Sequence, residues 1–220
     1  MERSVLILCM GCSIVGVIMM YAASLSMSTP RLAISQLNEE MVGSTVEVSG
    51  TVMDLYEHRD GHLFVKLQDE SCGALTVPLF SDMRSGVGRI EALDRLVVRG
   101  EVSVYKGELE VIPSSPGDVT VLRVPPMPLT ELNENRYGTL VKVEGRITNI
   151  SYLSGGQAIF TISGGGPSAK VFLPKNVASG APWLAEDMVV RVGGWYQLYN
   201  GEPEIKVPIC AFLSPADDNA

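Results

Sequence analysis

The only two histidines of the chain, His58 and His62, stand four residues apart with Asp60 between them. Imidazole and carboxylate groups at this spacing could hold a metal ion. Four-residue spacing brings two histidines together on a helix, whereas Asp60-Gly61 is a frequent hairpin pair and predicts a turn. We therefore interpret both histidines as solvated turn residues and predict no metal site.

The sequence also gives no sign of a set of residues that could perform catalysis. Since both histidines share one predicted loop, they cannot assemble a Ser/His/Asp or Cys/His group with the rest of the chain. Gly155-Gly156 and Gly164–Gly166 lack a following Lys-Ser/Thr and predict hairpin loops, not a phosphate cradle. Cys72 and Cys210 fall in different halves of the chain, and spacing alone does not show whether they pair. We predict neither an enzyme nor a cofactor.

An internal repeat organises the chain. Leu132-Asn133-Glu134 follows Leu37-Asn38-Glu39 at an offset of 95, and valines and glycines after it keep that offset. Tyr199-Asn200-Gly201-Glu202 then matches Tyr105-Lys106-Gly107-Glu108 at an offset of 94. A repeat of this length indicates two copies of one domain. We predict an anchor and linker at 1–30, a first domain at 31–124, a second at 125–215 and an acidic tail at 216–220.

Short alternating apolar stretches predict five strands in each copy, with a glycine bend in the first strand at Gly50 and Gly145. The class is all-β: two consecutive five-stranded barrels of the OB-fold order, preceded by one transmembrane helix. A short lead-in helix is predicted at Leu32–Met41, and a further strand at Asp118–Leu122. The predicted strands are Thr45–Tyr56, Leu63–Gln68, Gly73–Phe80, Asp94–Tyr105 and Glu108–Ile112, then Thr139–Tyr152, Gln157–Ile162, Ser168–Pro174, Ala185–Tyr199 and Pro203–Val207.

Three segments of the first copy, Val46–Val52, Phe64–Asp69 and Gly73–Phe80, resemble nucleic-acid-binding OB domains of the anticodon-binding and replication-protein-A-like type. The Tyr-x-Gly-Glu-x-Glu hairpin adds to this resemblance, which covers both copies. It implies a binding face on the second and third strands, where aromatic rings stack on bases and basic residues follow phosphates. The residues that it implies for this role are Phe64, Lys66, Tyr105 and Lys106, while the second copy departs with Ile159 and Thr161.

Aromatic residues of the second copy suggest another surface, because nine of the chain's 14 aromatic residues lie between Tyr137 and Phe212. Alignment with Val98, Val102 and Val104 predicts that Val192, Tyr196 and Leu198 point inward. Trp195 and Tyr199 would then point outward. They would either stack on a base, a sugar or a protein partner, or cover a domain interface, and the two interpretations carry equal weight.

The beginning of the chain has 19 uncharged residues, Val5–Ala23, which is enough to span a bilayer as a helix. This stretch exceeds the usual apolar region of a signal peptide, so we predict an uncleaved single-pass anchor in the lipid bilayer, with the body outside the cytoplasm.

The two copies differ in net charge. The net charge is −8, with 9 Lys+Arg against 15 Asp+Glu in residues 31–124 and 7 against 7 in residues 125–215. Since lysine and arginine supply most non-specific affinity for polyanions, the acidic first copy is poorly suited to grip a phosphate backbone. The sequence favours a membrane-anchored protein that binds single-stranded DNA or RNA, and the alternative is a non-enzymatic envelope module for protein or small polar ligands.

Overall fold

The computed structural model describes residues 2–26 and 29–216, and within the first helix it describes the side chains of residues 9–21. Single 3-10 turns lie at Ile34–Gln36, Glu39–Met41, Pro116–Asp118, Leu129–Glu131, Glu134–Arg136 and Cys210–Phe212. The helices and strands are α1 (Glu2–Ser26), β1 (Thr45–Glu57), β2 (Leu63–Gln68), β3 (Ala74–Leu79), α2 (Ser81–Arg84), β4 (Arg95–Tyr105), β5 (Glu108–Ile112), β6 (Val119–Leu122), β7 (Thr139–Tyr152), β8 (Ala158–Ser163), β9 (Ser168–Leu173), α3 (Lys175–Gly180), β10 (Val189–Tyr199), β11 (Glu202–Lys206) and β12 (Leu213–Pro215).

Two sheets make up the body. In the first the strand order is β1-β2-β3-β5-β4-β6, and pairing of β1 with β4 closes β1 to β5 into a barrel. In the second the order is β11-β9-β8-β7-β10-β12, and β11 pairs with β10 in the same way. The all-β class and the OB-fold strand order are confirmed. β6 and β12 extend β4 and β10 at the edges, and β12 was not expected from the sequence.

The long first strand of each barrel bends where a glycine passes close to the next strand. A Cβ added at Gly50 would lie 3.0 Å from the Gln68 carbonyl oxygen, and one at Gly145 would lie 3.0 Å from that of Ser163. A register shift follows each glycine, between Val52 and Asp54 in β1 and between Ile147 and Asn149 in β7. These bends let one strand pair with both neighbours of the barrel.

The lead-in to each barrel is a pair of 3-10 turns, so the predicted helix at Leu32–Met41 is wrong. Leu37 and Asn38 are extended and separate the turns, and the Asn38 side chain accepts a hydrogen bond from the Glu40 N–H. Asn133 caps the Asn135 N–H in the same way before the second barrel. A short polar side chain that bonds to nearby backbone competes with helix formation.

The two barrels share an apolar contact. Ala92 and Leu93, on the connection between β3 and β4, pack into the core of the second barrel. Gly193 on β10 makes room for this contact, because an added Cβ would lie 2.6 Å from Phe212 and 3.3 Å from Leu93. Packing therefore holds the barrels together in addition to the proline-containing link at Pro125, Pro126 and Pro128.

A buried charge network reinforces that contact. The Lys142 Nζ of the second barrel lies 3.0 Å from Asp94 Oδ1 and 3.0 Å from Glu91 Oε2 of the first. The Arg191 guanidinium lies 2.8 Å from Glu91 and 2.8 Å from Glu144. Side-chain exposure is only 7% for Lys142 and 1% for Asp94, so water screens this pair weakly.

The described residues include no helix that combines the length and the hydropathy of a membrane span. A span requires about 20 apolar residues. The predicted anchor, Val5–Ala23, lies within α1, and the side chains of its residues 5–8 and 22–23 lie outside the described residues. The predictions of a single-pass anchor in the lipid bilayer and of a membrane location are therefore wrong, and the extracytoplasmic body that was inferred from that anchor loses its support.

Candidate nucleic-acid interface

The outer surface of the first barrel brings together residues of three strands. Val65 and Leu67 are fully buried, so Phe64 and Lys66 point outward from β2. Tyr56 on β1 is directly opposite Phe64, and Phe64 is opposite Pro78 on β3. The next row carries polar groups, and its cross-strand order is Asp54, Lys66, Thr76, Glu110 and Ser103.

Five rings form a continuous series at one end of this surface, which we call the aromatic face: Tyr56, His58, His62, Phe64 and Phe80. The centroid of the Tyr56 ring lies 6.3 Å from that of Phe64 and 6.4 Å from that of His58. The His58 and His62 rings stack at 6.3 Å, and His62 meets Phe80 edge-on at 5.5 Å. Tyr56 is 60% exposed and Phe80 is 40% exposed. Flat apolar surface is thus presented to solvent.

The histidines serve as part of this surface. The Ser81 N–H donates to His62 Nδ1 at 3.0 Å, which ties the hairpin to the start of α2. His58 Nδ1 lies 3.1 Å from Asp60 Oδ2 within the turn. In the described part of the chain, no three His, Cys, Asp or Glu side chains are grouped to hold a metal ion.

Tyr105 and Lys106 lie at the hairpin between β4 and β5. Lys106 and Gly107 have φ angles of 52° and 84°, the left-handed pair of a type I′ turn. The Lys106 Nζ lies 5.1 Å from the centroid of the Tyr105 ring. Tyr105 is 56% exposed and faces Glu108 across the hairpin. Among the described residues, its ring has no contact with that of Phe64, so the two predicted stacking residues do not form one platform.

Carboxylates outnumber lysines on this surface. Lys66 and Lys106 are accompanied by Asp54, Glu108 and Glu110. Glu110 is 9% exposed, and its carboxylate receives no hydrogen bond from the described residues. Burial, together with the neighbouring charge of Glu108, raises the pKa of Glu110 above its ordinary value. The surface therefore offers rings and hydrogen-bonding groups but few cations.

The second barrel has a glutamate at the position equivalent to Glu110, and there the carboxylate has a hydrogen-bond donor. Glu204 is 4% exposed, and Gln197 Nε2 donates to it at 3.0 Å. Ser103 occupies the place of Gln197 in the first barrel, opposite Glu110. Sequence reasoning missed Glu110. Alignment of the copies at the offset of 94 could have found it, because both copies have a glutamate here while the glutamine that binds it in the second copy is a serine in the first.

Trp195 is 42% exposed and Tyr199 is 58% exposed. Their positions on the strand keep the two rings apart. Both lie on β10, about 13 Å apart at about 3.3 Å per residue. Trp195 is flanked by Leu140 on β7 and Lys206 on β11, while Tyr199 lies at the hairpin tip. Both exposed rings lie on the same outward face of β10, and no ring contact joins them in the described part of the chain. The predicted inward orientation of Leu198 is also wrong, because it is 53% exposed where β10 runs beyond the core.

The described cysteines are all free thiols. Cys72 and Cys210 are both exposed, and the chain has no disulfide between its two barrels in the described residues.

Residues 46–115 match the family model of an OB-fold nucleic acid binding domain. This match spans β1 to β5 and includes Phe64, Lys66, Tyr105 and Lys106. The first barrel is thus similar to OB-fold nucleic acid binding domains.

Solved structures of similar shape include two of different kinds. An OBody, AM1L10 bound to hen egg-white lysozyme, has 21% identity and a TM-score of 0.38, covering 44% of this chain and 96% of its own. The tetrameric p202 HIN2 has 10% identity and a TM-score of 0.44, covering 79% of this chain and 94% of its own. Among curated proteins, none matches this chain in sequence.

Proposed function

We propose that this protein binds single-stranded nucleic acid without catalysing a reaction, and that the aromatic face of the first barrel is its primary site. The observation that carries the proposal is the exposed series of rings around Phe64 on a barrel that matches a nucleic-acid-binding model. Every base has a flat face, so such rings bind single strands by stacking, at about 1–3 kcal/mol per base.

A single strand fits this face better than a duplex does. Bases must be unstacked to reach protein rings, and a duplex keeps them inside. The Glu110 carboxylate, in the same cross-strand row as Lys66 and one row from Phe64, would accept hydrogen bonds from the amino or ring N–H groups on an exposed base edge. A duplex binder would also need several cations along the surface, whereas this face has Lys66 and Lys106.

The scarcity of cations predicts a specific salt response. Each phosphate contact with a single strand contributes about −0.7 to the slope of log K against log salt. If Lys66 and Lys106 each bind one phosphate, the slope on this face is about −1.4. Binding would therefore be of moderate strength and only weakly sensitive to salt.

The test is a fluorescence-anisotropy titration of the full chain with a labelled oligothymidylate of 12 nucleotides at low salt. We expect a dissociation constant below about 0.1 mM, the weak limit of non-specific binding. Phe64→Leu should weaken binding about fivefold or more, because it removes one stacking ring.

The matched control is Tyr152→Leu, which removes a 60% exposed ring from the second barrel and should leave binding unchanged. Absence of binding at 0.1 mM protein, or equal losses in the two variants, would contradict the proposal.

A further inference from the structure

A large concave surface of the described chain lies away from the aromatic face. It is a groove of about 1320 Å³ between the two barrels, which we call the inter-barrel groove. Ligand sites form preferentially at domain interfaces. Its lining includes Arg31, Gln68, Arg95 and Leu122 of the first barrel, with Leu140 and Trp195 of the second.

The inter-barrel groove is continuous with the aromatic face. Alternation along β2 puts Phe64, Lys66 and Gln68 on the same outer surface, since Val65 and Leu67 between them are buried. Gln68 is also part of the groove lining. The distance along the strand from Phe64 to Gln68 is about 13 Å at about 3.3 Å per residue. A strand that lies along β2 therefore reaches the groove within a few nucleotides.

The cations that the aromatic face lacks are found beside the groove. The outer surface of β1 and β4 carries Arg95 and Arg99, and Arg31 lies next to it in an ion pair with Glu47. Arg31, Arg95 and Arg99 stand against two glutamates, Glu47 and the equally outward Glu101, which leaves this surface a local excess of one positive charge. Among the described residues, the Arg95 side chain makes only a 3.4 Å hydrogen bond to Ser49 Oγ. Its guanidinium is thus available to a phosphate.

Asp69 and Glu70, two acidic residues of the groove, differ in whether their carboxylates are already hydrogen-bonded. Asp69 is already engaged, because its carboxylate accepts hydrogen bonds from the Ile34 N–H at 2.7 Å and from the N–H and hydroxyl of Ser71. Burial would raise the pKa of Asp69, and these hydrogen bonds lower it below the ordinary value. Glu70 is exposed at the mouth of the groove and is the acidic group that opposes a polyanion there.

The wall of the groove that the second barrel forms carries the exposed ring of Trp195. Trp195 is 42% exposed, with Leu140 and Lys206 beside it across the sheet. Lys142, whose ammonium is fixed by Asp94 and Glu91, also lines the groove. The charge network thereby holds the Trp195 wall at a fixed distance from the Arg95 wall.

We propose that a single strand bound on the aromatic face continues past Gln68 into the inter-barrel groove, where Trp195 stacks on a base and Arg95 binds a phosphate. This inference rests on the proposed function of the aromatic face. It makes the second barrel part of the same binding site, and it adds Arg95 to the two lysines near the aromatic face as a group that can bind a phosphate.

Tryptophan fluorescence tests the inference directly. The chain has two tryptophans, so Trp183→Phe leaves Trp195 as the sole emitter. We expect an oligothymidylate of about 12 nucleotides to quench this emission, while one of about 4 nucleotides, near the lower limit for one OB fold, binds without quenching it.

Affinities of the full chain provide the second arm. Trp195→Ala should weaken binding of the long oligonucleotide about fivefold or more and leave that of the short one unchanged. Arg95→Ala should reduce the salt slope of the long oligonucleotide by about 0.7, the contribution of one phosphate. Tyr152→Leu serves as the exposed aromatic control.

The outcomes separate the two proposals. If the long oligonucleotide binds in a Phe64-dependent manner without quenching Trp195, and Trp195→Ala binds it as wild type does, the inference is overturned and the proposed function stands. If neither oligonucleotide binds at 0.1 mM protein, the proposed function fails and this inference fails with it.

Discussion

Lys142→Met tests how firmly the charge network joins the barrels. Methionine keeps the length and the apolar stem of lysine but removes the ammonium that lies 3.0 Å from both Asp94 and Glu91. Removing one partner of a buried ion pair costs about 3–5 kcal/mol, because the other charge is left without compensation. We expect the lower value, about 3 kcal/mol, since Asp94 keeps N–H donors from Glu91 and Val124.

The assay is thermal unfolding followed by circular dichroism. For a chain of this size, 1 kcal/mol corresponds to about 2–4 °C, so Tm should fall by about 6–12 °C at pH 7. The matched control is Lys170→Met. Lys170 lies 3.0 Å from Glu202, but their side chains are 35% and 70% exposed. Exposed pairs contribute at most about 1 kcal/mol, so this variant should lose less than about 4 °C.

The pH dependence of the Lys142 effect follows from Glu91. Burial would raise the pKa of Glu91, but the hydrogen bond from Lys142 and the charges of Lys142, Arg191 and Arg89 outweigh it and hold this pKa below the ordinary value of 4.5. Ionised Glu91 therefore stabilises the fold above that value, and this contribution is lost as pH falls through the lowered pKa. The Tm difference between wild type and Lys142→Met should shrink from neutral to acidic pH. A Lys142→Met chain that melts within about 2 °C of wild type at pH 7 would refute the reasoning.

Three further changes probe other features. Glu110→Gln should raise stability by about 1 kcal/mol at pH 7, because it removes a charge that partial burial and the neighbouring Glu108 disfavour. Since the same causes raise the pKa of Glu110 in the fold, the gain should vanish as acid protonates the glutamate, and thermal melts at pH 7 and pH 4 check this. Gly193→Ala should cost about 1–3 kcal/mol through its 2.6 Å approach to Phe212, whereas Gly88→Ala, with no atom within 4 Å of the new Cβ, should melt like wild type. Lys106→Asn should stabilise the chain by about 1 kcal/mol, because Asn200 holds the same φ of 52° in the matching turn; a lower denaturation midpoint in urea would contradict this.

Much of the fold follows from local pattern. The alternating valines of β1 and the glycines at Gly50 and Gly145 indicate a long bent strand, and the repeat offset fixes the same strand in the second barrel. β12 escaped notice because Leu213–Pro215 is three residues long and is defined only by its pairing with β10. A strand so short has no periodicity to detect.

The site was predictable in part. Phe64 and Lys66 are outward on β2, as the resemblance implied, but their neighbours Tyr56 and Glu110 depend on cross-strand register that one strand does not reveal. The charge network joins residues 48 positions apart, as in Asp94 and Lys142, and up to 100 apart, as in Glu91 and Arg191. No local signal reports such pairs. Trp195 and Tyr199 share a strand face, but the strand itself keeps them apart.

The most direct measurement of the central claim is a map of the amide resonances of the full, isotope-labelled chain by heteronuclear NMR during titration with an oligothymidylate of 12 nucleotides. Binding on the aromatic face predicts the largest shifts at the amides of Tyr56, Phe64 and Lys66, with smaller changes elsewhere in the first barrel. A spectrum that stays unchanged at 0.1 mM protein, or shifts confined to residues of the second barrel away from the inter-barrel groove, would contradict it.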